Sequence, residues 1–209
     1  HLQQQGPVRI GAVGLGTGTL AAYARAGDYV RFYEINPQVL QIAENPDYFT
    51  YLSDCRQRTR CDVVLGDARL SLQRELQQQA PQEFDVLVLD AFSGDAIPVH
   101  LLTREALAVY LEHLKHGGIL AIHISNRYVD LEPVVLRLAD EWGLYAGKFE
   151  NRGDSQKRVY SSTWMLLPPS QSPAAAMPEK NRADPASFRR APLWTDHYSN
   201  LLGVLRWPD

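Results

Sequence analysis

Three glycines at alternate positions, Gly14, Gly16 and Gly18 in Gly14-Leu-Gly-Thr-Gly18, directly follow the first apolar run of the chain. Without side chains, such a turn lets backbone N–H groups approach a ligand closely, and a helix expected over 19–25 would add its N-terminus. A dinucleotide fingerprint would place the third glycine at 19, where the chain has Thr19, so the spacing disfavours NAD. A turn that only packs strand against helix is the plainer alternative. Glu34 stands twenty positions after Gly14, the offset at which an acidic side chain reaches both hydroxyls of a ribose, although alone it could be a solvated charge. Asp67, in Gly66-Asp67-Ala68, and Asp90 follow two further apolar runs. On a parallel sheet Glu34, Asp67 and Asp90 share one carboxyl edge, and three acids along one crevice suit a cationic ligand. Asp67 has a competing role as the N-cap of a helix over 68–77. Asp90 ends the apolar run 86–89, where an unpaired carboxylate would be costly to bury.

The elements that must hold these residues follow from patterning. Short β-branched runs predict strands over 8–13, 29–34, 62–65, 84–90, 119–125, 145–150 and 159–167. Amphipathic stretches alternate with them: Leu107, Tyr110, Leu111 and Leu114 repeat at helical spacing, as do Leu131, Val134, Val135, Leu138 and Trp142. Thr103 and Asp130 are the N-caps expected for these two helices. The alternation predicts an α/β domain, a doubly wound seven-stranded and mostly parallel sheet of Rossmann-like type. The polar segment 151–158 has turn chemistry, so the last two strands should form an antiparallel edge hairpin.

The organisation expected is a catalytic domain over 1–167, a linker over 168–192 and a C-terminal segment over 193–209. Six of the 13 prolines fall in the linker, which has little to bury and is expected to be mobile. Trp194, Tyr198, Leu201, Leu202, Leu205 and Trp207 make the last segment too apolar to be left in water, so it should dock on the domain.

The 209 residues are 45% hydrophobic and 22% charged, with a net charge of −3, which excludes a disordered or fibrous chain and offers no broad basic surface for nucleic acid. No apolar run reaches the ~20 residues of a membrane span. The two cysteines, Cys55 and Cys61, fit neither a zinc site nor a disulfide framework and read as reduced thiols of a cytoplasmic protein. No histidine pair has metal-ligand spacing, so no metal is expected. His123, near the end of the fifth strand, is a candidate base but more commonly such a residue is structural. Ser125 and Asn126, at the same strand's carboxyl end, could line the acceptor side of a site. The chain opens on a polar segment beginning with His1 rather than Met, which reads as a piece of something longer without a secretory signal.

Together, Gly14-x-Gly16-x-Gly18, Glu34-Ile-Asn-Pro37, Gly66-Asp67-Ala68, Asp90-Ala-Phe-Ser-Gly-Asp95-Ala-Ile-Pro98 and Gly117-Gly-Ile-Leu120 resemble, in order and spacing, the spermidine synthase-like proteins. These have the class I S-adenosylmethionine-dependent transferase (methyltransferase-type) fold. The resemblance covers about 8–167, and the segment 194–200 looks like the tail of bacterial members, some of them fused to membrane domains. It implies that Gly14, Gly16 and Gly18 approach the amino-acid or aminopropyl part of the donor, that Glu34 holds its ribose, and that Asp67 accepts from the adenine amine with Ala68 beside the ring. Asp90 matches the family's catalytic acid, which assists deprotonation of the attacking amine. Asp95 stands five positions on, where the family has an Asp-x-x-Asp pair. Thr17 replaces a common Asp, and the family's N-terminal β-hairpin is not in this sequence.

The function expected is aminopropyl transfer from decarboxylated S-adenosylmethionine to a small-molecule amine. The alternatives are an S-adenosylmethionine-dependent methyltransferase and a non-catalytic nucleoside-sensing module of a larger protein. Nucleic acid is not an expected partner; a homodimer and a membrane-anchored parent protein are both compatible with the reading.

Overall fold

The computed structural model describes residues 6–91, 98–156, 159–169, 178, 181 and 191–206. Its strands are β1 (Arg9–Val13), β2 (Tyr29–Glu34), β3 (Arg60–Leu65), β4 (Phe84–Leu89), β5 (Leu114–His123), β6 (Gly147–Asn151) and β7 (Ser162–Leu167). They form one seven-stranded sheet in the order β3-β2-β1-β4-β5-β7-β6. The helices are α1 (Pro37–Glu44), α2 (Tyr51–Arg58), α3 (Ala68–Gln77), α4 (Arg104–Glu112) and α5 (Glu132–Glu141). None of the described helices is long and apolar enough to cross a membrane. The doubly wound α/β sheet expected from the alternation of elements is therefore present.

The chain divides into two compact units, His1–Ala91 with Glu112–His116, and Phe92–Leu111 with Gly117–Asp209. In the first, β1 lies between β2 and β4 and is parallel to both, with Val13 beside Tyr33 on one side and Leu89 on the other. β3 adds in parallel outside β2. The chain order reverses between β1 and β4, and in open α/β sheets ligands bind at the carboxyl ends of the strands at such a switch point. Val30, Phe32, Leu52, Leu72, Phe84 and Leu87 are fully buried around these strands and supply the apolar area that holds them.

In the second unit β7 pairs antiparallel with β5, Ile122 opposite Met165, and β6 pairs antiparallel with β7, Phe149 opposite Trp164. This is the expected edge hairpin. Its turn is closed by reciprocal Asp154 and Val159 backbone hydrogen bonds of 2.8 and 2.9 Å, so Val159 belongs to the turn and β7 starts later than the β-branched run suggests. Lys157 and Arg158 lie outside the described residues. Trp194 is fully buried in this unit, and its carbonyl accepts the Arg104 N–H at 2.9 Å. Thr103 caps α4 as expected, its hydroxyl accepting the Ala106 N–H at 3.2 Å while donating to Asp196 at 2.8 Å. The N-cap of α5 is Leu131 rather than the expected Asp130, which stands one residue earlier and accepts the Glu132 N–H at 3.2 Å. The mobility expected of 168–192 falls mainly on residues outside those described.

Other elements differ from expectation as well. Leu114 opens β5 rather than closing the stripe of α4, because the chain passes from helix to strand through His113, whose ring is buried and bonded on both nitrogens. The segment over 19–25 forms only a 3-10 turn, Thr19–Tyr23, rather than an α-helix. The short helices α1 and α2 are not among the expected elements; α1 is started by Pro37 at its first position and by Asn36, whose side chain accepts the Gln38 N–H at 2.9 Å.

Candidate functional site

The residues read from the sequence as donor-binding meet at the carboxyl ends of β1 to β4, all within the first unit. Gly14 follows β1 with φ +96°, and a Cβ there would lie 2.3 Å from the Asp90 carbonyl oxygen. Only glycine lets the turn press this closely on the backbone leaving β4. The loop is tied in by the Gly14 N–H to the Tyr33 carbonyl and the Asp90 N–H to the Val13 carbonyl, both 2.9 Å. Gly16, at φ +53°, has no heavy atom within 4 Å of where its Cβ would stand, so the loop's outer rim is open where a ligand would approach. Gly18 directs its N–H to the Leu15 carbonyl at 2.9 Å. The Thr17 and Thr19 hydroxyls are 3.3 Å apart beside it.

Glu34 is 93% shielded from solvent and holds its carboxylate at the end of β2 with both oxygens engaged. Oε2 accepts the Leu15 N–H at 3.0 Å and Oε1 the Asn36 N–H at 2.8 Å. Each carboxylate oxygen has a further lone pair, which leaves the group able to accept from a pair of vicinal hydroxyls. Tyr33 and Glu75 brace the strand beneath: the Tyr33 hydroxyl donates to Glu75 at 2.9 Å, and Arg31 pairs with the same carboxylate at 2.5 Å. Burial, followed by the Glu75 charge, pushes the Tyr33 hydroxyl well above its ordinary range, so it stays a donor.

Asp67 performs the capping role that its position allows, accepting the Leu70 N–H at 2.9 Å through Oδ1, and Ala68 is buried as the first residue of α3. The expected cost of burying Asp90 is not realised. Its side chain is exposed, because the chain leaves the sheet at Leu89 and the acid sits one residue beyond the buried run. Asp90 is thus at the surface rather than held by burial. Asp95 lies outside the described residues.

Ser125 and Asn126 fall in the second unit, just beyond β5. The Ser125 hydroxyl lies 2.7 Å from His123 Nε2 and accepts the Thr163 N–H at 2.7 Å. Asn126 spends its side-chain oxygen on the Tyr128 and Val129 N–H groups at 2.8 Å each, which gives it a turn-forming role. His123 stacks on Trp164 with ring centroids 4.6 Å apart. The hydroxyl–imidazole pair escaped the sequence reading; its signal is the i, i+2 spacing, which places His123 and Ser125 on one side of an extended chain. Cys55 and Cys61 are both buried and free, and burial, with Cys55 beside it, pushes the Cys61 thiol up to about 12. At neutral pH Cys61 is not a thiolate nucleophile.

No family model matches the chain. Over 204 residues, 94% of its length, it is 29% identical to a polyamine aminopropyltransferase from Vibrio vulnificus, and it spans 62% of that relative. It superposes on human methyltransferase-like protein 13 in complex with SAH with a TM-score of 0.62 at 19% identity, covering 94% of this chain and 89% of that one. A probable spermidine synthase from Corynebacterium glutamicum gives a TM-score of 0.63 at 17% identity, with 99% and 77% covered. The fold is the class I transferase fold, and the resemblance to spermidine synthase-like proteins carried by the motifs extends over nearly the whole chain.

Proposed function

We propose that the chain is a spermidine synthase-like transferase that moves an aminopropyl group from decarboxylated S-adenosylmethionine to a small-molecule amine. The observation that carries this reading is Glu34: a shielded carboxylate at the sheet's switch point, oriented by two backbone N–H groups, one of them from the glycine turn itself. The Vibrio vulnificus relative, whose name states aminopropyl transfer, supports the choice of group.

In this reading the ribose hydroxyls donate to Glu34, Asp67 and Ala68 flank the adenine, and the open rim at Gly16 admits the rest of the donor. The acceptor nitrogen forms a bond to the carbon beside the sulfonium while the carbon–sulfur bond breaks. The electron pair of that bond neutralises the sulfur and leaves methylthioadenosine. An amine near the lysine reference of ~10.4 arrives protonated at neutral pH. Asp90 attracts that cation and takes the proton released as nitrogen attacks, passing it to the water that surrounds an exposed carboxylate. Most of the acceleration comes from holding nitrogen, carbon and sulfur in line.

Methyl transfer from S-adenosylmethionine is the second reading, favoured by the neutral Thr17–Thr19 pair where an acid would be needed to hold an aminopropyl ammonium. Offering each donor in turn with a panel of amines and weighing the products separates the two. Aminopropylated product from the decarboxylated donor, lost in Asp90→Asn while donor binding persists, is the expected result. Methylated product alone would shift the assignment to a methyltransferase, and tight nucleoside binding without any product would favour the sensing module.

A further inference from the structure

Within the first unit, Tyr29, Arg31 and Tyr33 alternate along one face of β2 and are joined into a polar network that reaches across to α3. Arg31 donates through Nε to the Tyr33 hydroxyl at 3.1 Å, through Nη1 to the Tyr29 hydroxyl at 3.2 Å and through Nη2 to Glu75 at 2.5 Å. The Tyr33 hydroxyl donates to the other Glu75 oxygen at 2.9 Å, so both oxygens of that carboxylate are held from β2. Tyr33 and Glu75 are buried. A buried ion pair is a weak source of stability, because removing both charges from water offsets their attraction; what a fully bonded network adds is a single fixed register. The two elements joined here carry the donor-site acids. β2 ends at Glu34, next to Tyr33, and α3 begins at Ala68 with Asp67 as its cap. Glu75 stands eight positions after Asp67, about 12 Å along a helix rising 1.5 Å per residue. Ser71, one turn nearer to Asp67, makes no such tie: its buried hydroxyl has no hydrogen-bond partner among the described residues. On the strand side of Asp67, the Gly66 N–H donates to the Glu34 carbonyl at 2.8 Å.

We infer that Tyr33, Arg31 and Glu75 are positioning residues for base recognition: by fixing α3 against β2 they set Asp67 at the separation from Glu34 at which the amine of a nucleoside's base and its ribose are met together. A helix moves as a rod, so a slide at Glu75 is passed on to Asp67. A shift of about 1 Å is enough to take a hydrogen bond out of range. The ribose end does not share this dependence, since Glu34 is oriented by the Leu15 and Asn36 N–H groups. Loss of the network should therefore reduce discrimination between bases more than affinity for nucleosides in general. The inference rests on the proposed placement of adenine beside Asp67.

The test compares methylthioadenosine with methylthioinosine, which share the ribose and the methylthio group and differ in the 6-amino group offered to Asp67. Calorimetric titration of the unsubstituted protein should favour methylthioadenosine at least tenfold. Asp67→Asn, which keeps a capping oxygen but can also donate, should erase that preference. Tyr33→Phe, which removes only the hydroxyl, should cut it at least threefold, and Glu75→Gln, which leaves the Arg31 charge against a neutral amide, should cut it further. Affinity for methylthioinosine should stay within twofold in both. In the Asp67→Asn background Tyr33→Phe should alter the ratio no further, as expected of a residue that acts through Asp67. A ligand-free readout is the Leu70 amide resonance, which reports the 2.9 Å bond to Asp67 Oδ1 and should move in Glu75→Gln, five positions away. A lowered melting temperature with the nucleoside ratio unchanged, or equal loss of both nucleosides, would reduce the network to a structural role and overturn the inference. A Leu70 resonance that stays in place would overturn it as well. No binding of either nucleoside by the unsubstituted protein would remove the donor reading itself, whereas a strong adenine preference that survives both substitutions would remove only this inference.

Discussion

Glu34 Oε2 accepts the backbone N–H of Leu15 at 3.0 Å, so the acid that ends β2 also sets the shape of the glycine turn that follows β1. With Oε1 occupied by the Asn36 N–H at 2.8 Å, the carboxylate cannot swing away when no ligand is bound. Under the proposed function, ligand recognition and loop architecture would depend on the same two oxygens.

Glu34→Ala should weaken S-adenosylmethionine, its decarboxylated form and methylthioadenosine alike, because each carries the same ribose. A lost hydrogen bond to a charged group costs about 1.5–3 kcal/mol, roughly one to two decades in affinity. Glu34→Gln should not rescue binding, since its amide nitrogen would face one of two backbone N–H groups that both need an acceptor. Titration calorimetry measures this directly, and full affinity in either variant would remove Glu34 from the donor site.

Gly14 and Gly16 both have positive φ but differ in their surroundings, which separates their effects on stability. An alanine at either position meets the left-handed penalty of about 1–2 kcal/mol. At Gly14 the added methyl would also stand 2.3 Å from the Asp90 carbonyl oxygen and force the β1 and β4 ends apart, whereas at Gly16 it meets nothing within 4 Å. Denaturant unfolding should rank Gly14→Ala clearly below Gly16→Ala. Equal stability of the two would contradict the close approach.

The parallel half of the sheet and its loops were legible in the sequence because each signal there is local: an apolar run, then a glycine or an acid at its end. Asp67 shows the limit of that logic, since the same residue type at the same place serves as a helix cap, and the structure puts one of its oxygens to that use. The passage from α4 into β5 was not legible. It depends on His113 meeting Gln82 and Leu72, more than thirty residues away, and a long-range contact leaves no mark on local periodicity. The exposure of Asp90 was missed for a related reason: the apolar run fixes where the strand is buried, but not at which residue the chain leaves the sheet.

His113 should make stability depend on pH in the near-neutral range. Its ring is fully buried, Nδ1 accepts the Gln82 N–H at 3.0 Å, and Nε2 lies 3.0 Å from the Leu72 carbonyl, which fixes a neutral tautomer. Burial holds its pKa below the ordinary value, so between the folded and unfolded pKa values the unfolded chain binds the proton and the folded one does not. Stability is then fully present above about pH 6.5, the unfolded value, and declines as the pH falls below it. Asp28 and Asp62, whose lowered pKa values also favour the folded state at neutral pH, act below this window. His113→Asn keeps an acceptor near the Nδ1 position and cannot ionise, so it should flatten the unfolding free energy between pH 7 and 5, at lower absolute stability. An unchanged slope would show that the proton is taken up elsewhere.

The C-terminal segment should behave as part of the second unit's core, with Trp194 as its anchor. Its side chain is fully buried, its carbonyl receives the Arg104 N–H, and Asp196 two residues on accepts from the Thr103 hydroxyl that caps α4. Trp194→Ala should therefore cost about 3–5 kcal/mol, the range for deleting a buried aromatic side chain. Trp194→Phe should be much milder, because it keeps most of the apolar area and removes an indole N–H that has no hydrogen-bond partner among the described residues. Limited proteolysis adds a second readout. In the unsubstituted protein, cleavage within 168–192 should precede cleavage within 193–205, and Trp194→Ala should make the later segment the faster one to be cut. Equal protection of 193–205 in Trp194→Ala, or melting temperatures that do not separate alanine from phenylalanine at this position, would show that the segment is held by contacts other than the tryptophan.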